Sequence, residues 1–177
     1  AAIHSARRYL ESLPSGHILV KLDFSNAFNC LHRFDMLQAI RHKVPELYSY
    51  CYSAYCQPSN LFFGSHILLS QEGPQQGDPL GPLLFCNTIQ ELVDSLSADL
   101  NLSYLDDLTL GGPEEAIAQD VQRIIDVGDS MGLHLNISKC ELVTSPDFQV
   151  SDATLRSFSR TAIADASLLG APLFAGV

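Results

Sequence analysis

The stretch 101-NLSYLDDLTLGG-112 sets two aspartates side by side, Asp106 and Asp107, between two short apolar segments. The flanks 101-NLSYL-105 and 108-LTLGG-112 read as strands, which puts the pair at the tip of a hairpin. Two unit charges ~4 Å apart interact by ~4 kcal/mol at an effective dielectric of about 20, so adjacent carboxylates beside a core are costly unless something offsets them. A turn that directs both side chains into water is one offset, because Asp is favoured in turns. A divalent cation is another, because carboxylate oxygens are natural ligands of Mg²⁺. The dipeptide alone fits both.

A cation site needs a carboxylate from elsewhere in the chain. Asp23 follows 17-HILVKL-22, a short run, partly β-branched and nearly all apolar, that suits a strand buried on both faces. It therefore stands at the carboxyl end of a strand. The order strand, Asp23, helices, strand, Asp106-Asp107 brings three carboxylates to one end of a sheet if the two strands share it. In two-metal phosphoryl transfer, ions ~3.5–4 Å apart serve the attacking and leaving oxygens of an in-line displacement.

The rest of the chain supplies the helices. Ile3, Ala6, Leu10 and Leu13 recur at helical spacing over residues 2–13, and 14-PSG-16 ends that helix. Leu31–Val44 and Glu46–Cys56 read as two helices parted at Pro45, which fits best as the first residue of the second. Tyr48, Tyr52 and Tyr55 form a packed stripe on it. Next, 61-LFFGSHILL-69 reads as a hairpin turning near Gly64-Ser65, and 73-GPQQGDPLGP-82 is too rich in Pro and Gly for regular structure before Leu83. Helical period returns over Leu83–Leu96. Another helix spans Pro113–Met131, with Glu114 and Glu115 placed in its first turn as the helix dipole favours. The segments 133-LHL-135 and 141-ELV-143 suggest further short strands; after Pro146 the tail is polar and irregular until 167-SLLGAPL-173. The fold class is α/β in the broad sense, α+β: a small antiparallel sheet backed by helices.

At 177 residues and 46% hydrophobic content the chain suits one domain around one core. Its formal charge of −10, from 20 acidic against 10 basic residues, opposes nucleic-acid binding by the surface as a whole. A nucleic-acid partner is held locally or with the help of further chain. Cys30, Cys51, Cys56, Cys86 and Cys140 form no CxxC pair, which argues against a disulfide framework and against zinc and makes a reducing, intracellular setting the expectation. No apolar run approaches the ~20 residues that span a bilayer. The first residues are amphipathic rather than a targeting segment, and the lack of an initial Met suggests upstream chain. His32, His42 and His134 read as structural or surface residues, since oxygen donors suit Mg²⁺.

Five segments together resemble the reverse transcriptase domain of non-LTR, LINE-like retrotransposons. They are 21-KLDFSNAFN-29, 75-QQGDPLGPLLF-85, 104-YLDD-107, 132-GLHLNISKCE-141 and 168-LLGAPL-173, in the order of the four palm motifs and the primer grip. The resemblance implies a right-hand polymerase palm, with palm segments at 1–30 and 73–145, a fingers-like insertion at 31–72 and a primer-grip-like tail at 146–177. It implies that Asp23 and Asp106 bind two catalytic Mg²⁺ ions, with Mn²⁺ as the alternative, and that Asp107 supports them. Phe28 matches the residue packed under the incoming sugar that excludes a 2′-hydroxyl. The backbone at Asn26-Ala27 meets the triphosphate and the 3′-hydroxyl, and Gln76-Gly77 contact the nascent base pair and template, where a glycine lets backbone approach closely. Lys139 is the candidate proton donor or charge partner for departing pyrophosphate, and Leu169-Gly170 sit near the primer end.

The implied activity is RNA-directed DNA polymerisation, with an RNA template, a DNA primer and dNTPs as partners. The fingers' basic strands and a thumb are expected outside this chain, and no membrane is implied. Gly81 departs from the serine common in the family, which removes a helix-capping hydroxyl. Two other readings stand beside this one. A palm that is a decayed or partial retroelement catalyses nothing alone, and an RNA-dependent RNA polymerase or telomerase-like palm shares the carboxylates. Phe28 speaks against ribonucleotide use.

Overall fold

In the computed structural model, which describes residues 1–174, helix α1 (Ala2–Glu11) leads into strand β1 (His17–Leu22). Residues 175–177, the end of the expected tail, lie outside the described residues. β1 is the middle strand of a five-stranded sheet in the order β4 (Leu100–Tyr104), β5 (Asp107–Pro113), β1, β6 (Glu141–Val143) and β7 (Ser159–Thr161). All neighbours are antiparallel except β6 and β7, which run parallel. That edge is a correction to the expected antiparallel sheet. It escapes a sequence reading because 159-SRT-161 carries no apolar alternation.

The apolar run in β1 buries both faces, as its composition predicts. Ile18, Val20 and Leu22 pack with Phe85, Ile89 and Leu92 of α5 (Gly81–Asp94) and with Ile117, Val121 and Ile124 of α6 (Glu114–Ser130). Leu19 points the other way, into a second cluster with Ala6 and Leu10 of α1, Val143 and Leu168. Each such side chain contributes ~1.5–3 kcal/mol by leaving water. By the period of two along a strand, Lys21 and Asp23 continue the face of Leu19, where they line an open cavity instead.

Between β1 and α5 the chain forms α2 (Ala27–Cys30), α3 (Arg33–Lys43), α4 (Pro45–Tyr55) and a separate hairpin, β2 (Ser59–Phe63) with β3 (His66–Ser70). Pro45 begins α4, where a missing N–H costs nothing. Met36, Ile40, Cys51 and Tyr55 pack with Leu84 of α5, forming a third cluster. Only one residue of the expected tyrosine stripe is buried: Tyr55 is 3% exposed, whereas Tyr52 is 49% exposed.

Two boundaries differ from expectation. Helix α5 starts at Gly81, ahead of Leu83, because Pro82 is tolerated in a first turn. The segment 133-LHL-135 makes a single bridge, Phe24 with Leu135, instead of a strand. It crosses just past the end of β1, where the chain turns into α2 and leaves one residue free to pair. The tail carries α7 (Ala153–Arg156) and a small hairpin, β8 (Ser167–Leu168) with β9 (Ala171–Pro172), turning at Leu169-Gly170. No described helix is long and apolar enough to cross a membrane.

Candidate active site at the carboxylate hairpin

The β1–β5 ladder pairs Lys21 with Thr109 and Leu22 with Leu108. The next residues on the two chains are Asp23 and Asp107. On the other side of β5, Tyr104 pairs with Asp107, so the turn itself consists of Leu105 and Asp106 alone. This corrects the placing of both aspartates at the tip: Asp106 is in the turn and Asp107 is the first residue of β5. The two carboxylates are thereby sent to different cavities. Asp107 lines a space of about 220 Å³ with Asp23, Lys21, Lys139, Leu169 and Gly170. Asp106 lines one of about 440 Å³ with Asn26, Ala27, Phe28, Gln76 and Gly77. Every residue singled out as a candidate from the sequence lines one of the two.

Backbone geometry marks the same places. Among the described residues, Asn26 (φ 52°), Leu105 (φ 56°) and Leu169 (φ 50°) are the non-glycine residues in the left-handed region. Such a conformation costs about 1 kcal/mol or more and concentrates where geometry is over-determined for function. Asn26 is the most tolerant of the three types, and its Oδ1 accepts a hydrogen bond from Asn29 Nδ2 at 2.6 Å. Gly77 has φ +93°, so a β-carbon there is strained. Gly73 is essential for space: an added Cβ would clash with the Phe28 carbonyl oxygen, so closely does this loop rest on the start of the site.

Partial burial, then the charges of Asp106 and Asp23, push the Asp107 carboxyl above its ordinary range, while Lys21 draws it down. Lys21 in turn donates to Glu141 Oε1 at 2.6 Å, across the β1–β6 pair. The sequence reading missed Lys21 and Glu141; a count of two back from Asp23 along the strand finds the lysine. The Phe28 ring lies flat on Phe85, centroids 4.5 Å apart and planes 7° apart, so a fully buried ring of α5 fixes the candidate sugar-contacting ring.

Among the described residues no three His, Cys, Asp or Glu side chains form a ready-made metal cage. Mg²⁺ is usually bound by one or two carboxylates, with water and substrate phosphates completing its shell. A donor set of Asp23, Asp106 and Asp107, in which burial and then the charges of the other two raise the Asp107 pKa, fits that kind of ion.

A family model described as reverse transcriptase (RNA-dependent DNA polymerase) matches residues 2–161. The chain belongs to the reverse transcriptase family. The matched span of this reverse transcriptase domain holds both cavities' lining residues except Ser167, Leu168, Leu169 and Gly170. Among solved structures, apo telomerase from Candida tropicalis is similar, with TM-score 0.59, 13% identity, and coverage of 81% of this chain and 32% of that one. Telomerase from Candida albicans, solved with a fragment of telomeric RNA, gives TM-score 0.59, 15% identity, and coverage of 84% and 31%. At such identities the likeness is one of fold, and it agrees with the mixed α/β architecture of a small sheet backed by helices. The chain spans about a third of those telomerase chains. None of the curated proteins compared with it is a significant match.

Proposed function

We propose that this reverse transcriptase domain is the palm of an RNA-directed DNA polymerase that joins a dNTP to a primer 3′-hydroxyl. The observation that carries the reading is the gathering of three carboxylates at one hairpin, where Asp107 feels the charges of both Asp106 and Asp23, while Asp106 lines the cavity of Phe28, Gln76 and Gly77 and Asp107 that of Asp23 and Lys139. Asp23 and Asp106 would hold Mg²⁺, with Asp107 adding its charge, and ions so held would lower the pKa of the attacking hydroxyl and bind the triphosphate.

The chain's own residues divide the remaining work. The primer 3′-oxygen forms a bond to the α-phosphorus as the bond to pyrophosphate breaks, and Lys139 supplies a proton or a charge to the leaving group. The cavity beside Asn26-Ala27 receives the triphosphate. Phe28, backed by Phe85, closes the space a 2′-hydroxyl needs. Gln76-Gly77 lie against the nascent base pair and template, and Leu169-Gly170 against the primer end. Residues 1–30 and 73–145 are the palm, 31–72 a fingers-like insertion and 146–177 a primer-grip-like tail. The order of five motifs supports a non-LTR retroelement source, and five free cysteines support a reducing, intracellular setting.

Primer extension on an RNA template by the full-length polypeptide tests the activity. Extension with dNTPs and Mg²⁺ that vanishes in Asp106→Ala supports it; equal Mg²⁺ affinity of wild type and Asp106→Ala in calorimetry overturns the metal assignment.

A further inference from the structure

The loop that carries Gln76 and Gly77 is anchored by Tyr55 and Arg33, which line neither of the two cavities, through Gln75 and Asp78, which line the cavity of Phe28 and Asp106. Neither Gln76 nor Gly77 makes a backbone–backbone hydrogen bond among the described residues, so their position is set by the residues on either side. Those residues converge on Tyr55, the last residue of α4 and 3% exposed. The Gln75 N–H donates to the Tyr55 hydroxyl at 3.1 Å, and that hydroxyl donates to Asp78 Oδ2. Asp78 Oδ1 accepts from the Leu80 N–H at 2.8 Å, and Asp78 O from the Gly81 N–H at 2.9 Å, at the start of α5. Burial and then Asp78 push the Tyr55 phenol up to about 12, so it remains a donor throughout the neutral range.

The beginning of the loop is fixed by the same assembly. The Arg33 guanidinium, in a residue only 5% exposed, lies 5.2 Å from the centre of the Tyr55 ring. It donates to Gly73 O at 3.1 Å and to Ser70 O at 3.0 Å. A charged group so placed both fills an aromatic face and satisfies loop carbonyls, which makes the arrangement stiff.

We propose that Tyr55 is a positioning residue for nucleotide binding: its hydroxyl, clamped between Gln75 and Asp78, holds Gln76-Gly77 at the distance from Phe28 and Asp106 that a dNTP requires. This rests on the polymerase reading. Tyr55 lines neither of the two cavities itself and acts through Gln75 and Asp78. A purely structural tyrosine owes its worth to its ring, which packs with Met36, Ile40 and Leu84; a positioning tyrosine owes it to the hydroxyl. Tyr55→Phe keeps the ring and removes the hydroxyl.

The test is steady-state primer extension on an RNA template by the full-length polypeptide, with amide hydrogen exchange on the same variants. Tyr55→Phe and Asp78→Ala are each expected to raise the dNTP KM about tenfold, a change of ~1.4 kcal/mol, with kcat within about twofold. Because both variants break one shared bond, combining them raises KM little further. Exchange at Gln75 and Leu80 speeds up while β1 and β5 stay protected. Tyr48→Phe, on the same helix, leaves KM and exchange at wild-type values. Unchanged exchange over 75–80 in Tyr55→Phe overturns the positioning role whatever the polymerase does, and so does a fall in kcat with KM constant. A wild type that extends no primer, with exchange altered as stated, counts against the polymerase reading and leaves the clamp intact.

Discussion

Asp23 and Asp107 are the next residues on their two chains beyond the Leu22–Leu108 pair that ends the β1–β5 ladder. Like charges crowded at the end of a ladder destabilise it. The Asp107 carboxyl is accordingly raised above 3.8 by burial, Asp106 and Asp23. A raised folded pKa means that the native state binds more protons than the unfolded one, so stability falls as pH rises through the window just above 3.8 and stays lower beyond it. Asp107→Asn is therefore expected to raise the metal-free melting temperature at pH 7 and to lower polymerase activity. Thermal melts in the presence of a chelator check it, and a lower melting temperature contradicts the crowding of charge described here.

Phe85 has no solvent exposure and lies flat beneath Phe28. If Phe28 is the ring under the sugar, as proposed, Phe28→Ala is expected to raise ribonucleotide relative to deoxyribonucleotide incorporation by about tenfold or more. Phe85→Leu, which leaves Phe28 in place without its flat support, raises the same ratio by less. Competition between matched rNTP and dNTP measures both, and an unchanged ratio in Phe28→Ala removes the gate assignment.

The sheet and its carboxylates were legible because their signals are local. An apolar run ending in Asp23 and two short strands flanking Asp106-Asp107 are enough to place three charges at one sheet end. What stayed hidden depends on register and on contacts distant in sequence. That Asp107 belongs to β5 and only Asp106 to the turn follows from the Tyr104–Asp107 pairing, which no periodicity specifies. Lys21 was concealed inside a strand read as buried on both faces. The Tyr55–Asp78 bond joins residues 23 positions apart, and helical spacing marked Tyr55 merely as one of three similar tyrosines. The strand β7 is three polar residues long, and the bond its Thr161 Oγ1 donates to Glu141 Oε2 of β6 spans 20 positions, so its sequence announces nothing.

Gly81 stands at the first position of α5, where an added Cβ finds Gln75 O and Pro74 Cβ at 3.7 Å, an ordinary contact distance. Gly81→Ser is expected to stabilise the domain by about 0.4–1 kcal/mol, through loss of unfolded-state freedom. Chemical denaturation measures it. A destabilised variant shows that Asp78, which already holds Leu80 and Gly81, leaves no room for the hydroxyl.

Glu114 ties the tail to α6: its Oε1 accepts from Ser151 N at 2.6 Å, Ser151 Oγ at 2.8 Å and Asp152 N at 2.9 Å. Dehydration alone raises its pKa, but these three bonds outweigh it and the carboxyl ends below 4.5. A lowered folded pKa gives stability that is present above 4.5 and lost as pH falls through the folded value. Glu114→Gln is expected to flatten the acid limb of a melting-temperature profile and to leave its neutral part lower. An unchanged acid limb contradicts the assignment.

Primer extension on an RNA template by the full-length polypeptide, wild type beside Asp106→Ala, bears most directly on the site built around the carboxylate hairpin. The expected result is Mg²⁺-dependent incorporation of dNTPs by the wild type and none by the variant, with both proteins melting cooperatively. Equal extension by the two, or none by a folded wild type supplied with Mg²⁺, contradicts the polymerase reading.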